Sequence, residues 1–415
     1  MKKLDYVDAL RGLAILGVIM VHTAQYGHFN VPKIIANIIG EGARGVQLFY
    51  LASAFTLFLS FKNRLTKEKA PIRNFFLRRF FRIAPMYYIG ICYYLLQDGL
   101  GPRYWLGDQT HITVLNIISN FTFLHGFNPY WITSLVPGGW SIGVEMTFYA
   151  VLPLLFSRVK NLNQAFNFFI FSIIVRVLLK LFFMKFQLIS DDSLWSNYLF
   201  LYFPSQLPVF CLGILLYFII IENESIRKIS GKSILVFSGL LLAQFGTGIQ
   251  LFFPNHVLFG IGFLILGLGL STFQFTLIVN PIVSYIGKIS FSMYLVHFAV
   301  LHWLTRLNFI DYLDNGTLNY IARFSVVSVL TILVSTILYK TVEVPFQEIG
   351  KKIINRLEKA RTHNSTYPKG GVSCSKDSFV VNESLVFQIK FCGKSPALRV
   401  AAKRYASPMQ TLTTT

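Results

Sequence analysis

Apolar residues along this chain fall in long blocks, not in strand-like alternation or narrow helical stripes. The blocks lie near 8–26, 43–61, 83–98, 140–157, 165–187, 198–221, 233–252, 257–277, 290–306 and 318–340. Each is close to the roughly 20 residues a helix needs to cross a bilayer. The pattern predicts an all-α polytopic transmembrane helical bundle of about ten spans. Between 99 and 139 the stretch HITVLNIISNFTFLHG is too short and mixed to span, and fits an interfacial or re-entrant piece capping an outward cavity. Residues 1–346 read as one transmembrane domain. Residues 347–415 turn polar and basic and read as a loosely ordered tail.

Composition strengthens the membrane reading. Only 13% of the 415 residues are charged, against roughly 25% in a soluble domain, which excludes a water-soluble globular enzyme. The chain carries 38 Lys and Arg against 18 Asp and Glu, and the cations concentrate in alternate connections. One such connection holds Lys62, Arg64, Lys67, Lys69, Arg73, Arg78, Arg79 and Arg82, and another Arg227, Lys228 and Lys232. The intervening connections are poorer in cations, with Lys33, Arg103 and Arg306 alongside Asp98, Asp108, Asp191, Asp192, Asp311 and Asp314. By the positive-inside rule both termini are cytoplasmic, and the net charge faces anionic lipid headgroups, not nucleic acid. The first block lacks a credible cleavage site and is expected to remain as a helix. A multi-pass protein of the inner (plasma) membrane follows. Cys92, Cys211, Cys374 and Cys392 form no metal-ligand pattern.

Ionisable residues inside apolar spans are costly and therefore informative. Arg11, His22, Glu145 and His297 lie inside blocks, with Asp8, Arg323 and Glu343 near block ends. Each is either a structural pair or a site residue. Arg11 and His22 are eleven residues apart, almost three turns and about 16 Å along one helix face. Asp8 stands three residues before Arg11, at pairing distance on a helix. Glu145 follows the outer-loop glycines Gly138 and Gly139, so its expected depth matches that of His22, where a carboxylate would orient an imidazole as a general base. Arg79 and Arg82, in RRFFRIAP, share a helix face. Their forks suit phosphate, or they merely retain the loop on the positive side.

Together these segments resemble the acyltransferase 3 family of integral-membrane acyltransferases, which includes bacterial O-acetyltransferases of surface polysaccharides. The similarity rests on Arg11 and His22 as the Arg-x10-His motif behind Asp8, RGVQLFYLASAF, RRFFRIAP, WSIGVEMTFYAVLP, KISFSMYLVH ending at His297, and VEVPF with Glu343. Where the family has Ser-Gly-Phe, this chain has Ser53, Ala54 and Phe55, and Arg44-Gly45 replaces Gly-Gly. The resemblance implies transfer of an acyl group, usually from acetyl-CoA, to a carbohydrate hydroxyl of a cell-surface or secreted glycan. It implies His22 as general base or transient acyl carrier, Glu145 as its orienting partner, Arg79 and Arg82 on coenzyme A phosphates, and Arg11 on the donor deeper in the channel. Asp8, Ser53, Tyr294, His297 and Glu343 are then substrate-binding or structural candidates, and no metal is implied.

Two other classes fit a multi-span chain with buried charge. A secondary transporter would show matching broken helices in two halves, and no such pair is visible. A non-catalytic subunit of a polysaccharide export complex would tolerate loss of His22.

Overall fold

A computed structural model of the protein describes residues 4–103, 111–133, 135–273 and 275–365, with side chains to 360. Among these residues the chain forms helices and turns and no strand. Seven helical segments are long and apolar enough to cross a membrane, or eight if a bent pair counts as one span. The protein is a multi-pass membrane protein.

All ten predicted blocks are helical, and those outside the seven have identifiable reasons. Helix α1 is Asp5–Thr23, α2 Lys33–Gly40 and α3 Gly45–Leu65. Helix α4, Pro71–Asp98, is about 42 Å long at 1.5 Å per residue, but its first half carries Arg73, Arg78, Arg79 and Arg82. After α5 (Val114–Phe121), α6 (Trp140–Arg158), α7 (Leu162–Lys185), α8 (Asp192–Leu201) and α9 (Phe203–Ile220) comes α10, Gly231–Thr247, of 17 residues. Helix α11 is Asn255–Thr272. Helices α12 (Pro281–Lys288) and α13 (Ser290–Arg306) meet at a 78° bend. The Asn280 side chain caps α12 through the Val283 amide at 2.9 Å, and Pro281 supplies the fixed φ of a first helical turn.

Helix α1 lies at the centre because its glycines admit neighbouring backbone. A Cβ on Gly12 would overlap the Val283 carbonyl of α12, and one on Gly287 the Asp8 carbonyl. Gly45 of α3 approaches the Ala14 carbonyl equally closely. Such small-residue contacts drive helix association where lipid removes the hydrophobic incentive. Ala54, where the family has glycine, is accommodated by Gly213 of α9, since a Cβ there would meet the Ala54 methyl and the Leu51 carbonyl.

The 99–139 connection does more than cap the bundle. In α5 the polar side is the buried one. Asn116, Ser119 and Asn120 point inward while Val114 and Leu115 are 71% and 64% exposed, the inverse of a water-facing helix and suited to an apolar surround. Asn120 Oδ1 accepts from the Tyr87 hydroxyl at 3.0 Å. The chain then enters the bundle, packing Val136 on Gly90 near the middle of α4.

Residues 347–365, expected to belong to a loosely ordered tail, are helical. Helix α14, Gly316–Leu338, passes through one π turn, Tyr339–Glu343, into α15, Val344–Ser365. Helix α15 docks on α4. Glu358 accepts from the backbone amides of Lys69 and Ala70 at 2.8 and 3.2 Å and from Asn74 Nδ2 at 2.9 Å. Ala70 has no side chain able to cap α4, so Glu358 satisfies that helix start from another helix. Residues 366–415, with Cys374 and Cys392, lie outside the described residues.

Candidate active site

A cavity of about 480 Å³ opens among α1, α3, α4, α6 and α13, within the size range of small-molecule sites. Three guanidiniums line it: Arg11, Arg79 and Arg82. Arg11 Nη1 pairs with Asp8 Oδ1 at 3.3 Å, and its Nη2 donates to Thr56 Oγ1 at 2.8 Å. The fork is therefore fixed from both sides. Arg79 lies 5.9 Å from the ring centres of Phe75 and Tyr149, and its buried Nε has no hydrogen-bond partner. Arg82 makes no ion pair among the described residues, though Glu343 and Glu145 act on it electrostatically. Glu343, buried at the end of the π turn, accepts from Ser292 Oγ at 3.0 Å and Gln347 Nε2 at 3.2 Å. The cavity thus offers forked donors with unspent hydrogen-bonding capacity, the arrangement that suits phosphate oxygens.

Glu145 stands in this cavity. Its Oε1 accepts from Ser53 Oγ at 2.5 Å and from the Tyr149 hydroxyl at 2.6 Å. Tyr149 is four residues along α6, on the same face. At the cavity's far end the Tyr294 hydroxyl donates to the Gly138 carbonyl at 2.9 Å and accepts from Ser141 Oγ at 2.9 Å.

His22 lies beyond that end. Its ring centre is 5.4 Å from that of His297, which is itself 5.8 Å from that of Tyr294. His22 Nδ1 donates to Gln25 Oε1 at 2.9 Å, so its Nε2 is left with a lone pair. His297 is fully buried, with Nδ1 at 3.2 Å from the Met293 carbonyl and Nε2 unpartnered.

The expected hydrogen bond between His22 and Glu145 is not formed. The depth argument placed Gly138 and Gly139 at the outer surface, but Tyr294, only four residues into α13, holds the Gly138 carbonyl. Helix α6 therefore starts inside the bundle, and Glu145 falls among the arginines. Gln25 occupies the orienting place beside His22.

Arg323 resolves as a structural clasp. It donates to the Ile310, Tyr26 and His28 carbonyls and to Asp311, tying the turn after α1 to the turn before α14.

Comparison with known proteins gives the family. A family model described as an acyltransferase domain matches residues 4–340. The chain belongs to the acyltransferase 3 family. It is 25% identical over 392 residues to a Staphylococcus aureus (strain COL) protein named "Putative O-acetyltransferase", covering 85% of this chain and 59% of that one. The chain thus spans about three fifths of the length of that relative. A Streptomyces mycarofaciens acyltransferase is 26% identical over 171 residues, covering 39% of this chain and 41% of its own. A Caenorhabditis elegans protein named as a regulator of hypoxia-inducible factor 1 is 26% identical over 178 residues, covering 37% and 34%. No solved structure matches.

In this acyltransferase 3 chain several site residues escaped the sequence reading: Thr56, Tyr149, Ser141 and Gln25. Each has a helical signal. Thr56 follows Ser53 by three, Ser141 precedes and Tyr149 follows Glu145 by four, and Gln25 follows His22 by three, so each shares a face or turn with a residue already singled out.

Proposed function

We propose that the protein is a membrane-bound O-acyltransferase that moves an acyl group, most simply acetyl, from acyl-CoA to a hydroxyl of a surface or secreted carbohydrate. The observation that carries this reading is the single line of groups from the arginine cavity through Tyr294 and His297 to His22. With about ten spans and both termini cytoplasmic, as the cation distribution favours, the arginine end faces the acyl-CoA pool and His22 faces the acceptor across the plasma membrane.

In this scheme Arg79 and Arg82 grip coenzyme A phosphates, and Arg11, fixed by Asp8 and Thr56, holds the donor deeper in. Glu145 acts on the donor side. Its charge offsets three guanidiniums in one low-dielectric cavity and fixes the Ser53 and Tyr149 hydroxyls. At His22, Nε2 removes the acceptor hydroxyl proton as that oxygen attacks the thioester carbonyl. A C–O bond forms, the C–S bond breaks, and the proton passes to the departing thiolate. If His22 carries the acyl group first, Nε2 itself attacks the thioester and the acceptor hydroxyl then displaces it. Single-turnover chemistry separates the two routes.

Membranes containing the full chain, given radiolabelled acetyl-CoA and envelope glycan, test the reading. Label should pass to ester-linked, alkali-labile acetyl in glycan, and not when His22 is replaced by alanine. Donor-independent glycan movement without acetylation would instead point to transport.

A further inference from the structure

Away from the acyl-transfer cavity, α7 buries a guanidinium in an apolar helix. Arg176 is 5% exposed and lies about 13 Å from the nearer end of α7 at 1.5 Å per residue. One nitrogen, Nη1, donates to the Leu251 carbonyl at 2.8 Å, while the buried Nε has no partner. Lys180 follows one turn later on the same face. Among the described residues neither cation has a carboxylate within ion-pair distance.

The surroundings add positive charge. Arg176, Arg44 and Lys180 all act electrostatically on buried His256. Arg44 is offset by Glu41 at 2.9 Å, and His256 Nε2 is spent on the Ser205 carbonyl at 3.0 Å. Arg176 and Lys180 remain uncompensated. Tyr202, within electrostatic reach of Arg176, has a buried hydroxyl without a partner. A buried, uncompensated charge is expensive and marks a site when unspent donors gather round it.

We infer that Arg176, Lys180 and the Tyr202 hydroxyl form a second site that binds a phosphate-type anion, carried by a membrane lipid. A lipid phosphate supplies the missing negative charge. Met184, one turn beyond Lys180 on that face, is 62% exposed, so the site has an apolar edge open to the bilayer. This inference is independent of the acyl-transfer reading, because none of its residues lines that cavity.

The purified full chain, equilibrated with equal amounts of phosphatidylglycerol and phosphatidylcholine, tests it by native mass spectrometry. Phosphatidylglycerol should be retained in preference, and Lys180→Gln should weaken retention about tenfold, the loss of one charge-assisted hydrogen bond. Arg176→Lys keeps the charge but not the fork and should also weaken it. Thermal stability with added inorganic phosphate separates the sources. Stabilisation without lipid preference keeps the anion site and assigns it to free phosphate. Equal retention of both lipids with no response to inorganic phosphate overturns the site, as does unchanged preference in both folded variants. Arg176 is then only a cap for the Leu251 carbonyl.

Discussion

Ser53 on α3 donates to Glu145 on α6 across 2.5 Å, and the acceptor oxygen is the one that Tyr149 also uses. That shared oxygen places Glu145 with the cavity arginines and away from His22. Glu145→Gln keeps an oxygen for both hydroxyls but removes the charge between three guanidiniums. Acyl transfer should fall at least about tenfold, the scale of a lost charge-assisted hydrogen bond. The limb of the pH–rate profile that reports His22 should stay in place. Movement of that limb would restore a direct coupling between the two residues.

In the proposed scheme the arginine pair sets the demand for donor. Replacing Arg79 and Arg82 together by Gln should raise the KM for acetyl-CoA by about ten- to a hundredfold, with membrane abundance unchanged. The double Lys variant should recover only part, because an ammonium lacks the fork. Unaltered KM in the Gln variant would reduce both residues to retention of positive charge.

His22 carries the proton or the acyl group in the proposed chemistry. His22→Ala should lower transfer by about 10² to 10⁴-fold, the usual contribution of positioned proton transfer, at unchanged abundance. Gln25→Leu should shift the pH–rate limb, since Gln25 fixes the imidazole tautomer through the 2.9 Å bond to Nδ1. Near-normal transfer by His22→Ala would sink the assignment and turn attention to His297.

Acid should loosen the clasp that follows α1. Burial pushes the Asp311 carboxyl up, but hydrogen bonds from Asn319, the His28 amide and Arg323 outweigh it and hold the group below its ordinary range. A lowered folded-state value means that this stabilisation is complete above about pH 4, the unfolded value. It is lost as pH falls through the folded value. The melting temperature should therefore drop as pH is lowered from about 5 to 3, and Asp311→Asn should show a smaller drop from a lower starting point. Equal slopes would remove Asp311 from the acid response.

The helices were legible because apolar blocks of membrane length leave little else for the backbone to form. Harder to read was where each block begins in depth. Asn116, Asn120 and His125 look like loop residues in one dimension, yet their burial draws the 99–139 connection inward. The start of α6 moves with it, and Glu145 changes neighbours. Arg79 and Arg82 were legible as a forked pair, but Glu343 opposite Arg82 depended on a π turn that no periodicity announces. Arg176 and Lys180 were passed over because the 24-residue helix keeps an 18-residue stretch of mean hydropathy 2.1 in spite of them.

The contact between Glu358 and the start of α4 orders events in time. Ala70 and its capping carboxylate are 288 residues apart in sequence, so at about 5–20 residues per second the ribosome needs roughly 15 to 60 s to supply the second after the first. During that interval the helix bearing Arg78, Arg79 and Arg82 lacks this cap. The segment proposed to grip the donor is therefore among the first to enter the membrane and among the last to be locked. A truncation before residue 358 should insert normally and still leave a frayed start of α4.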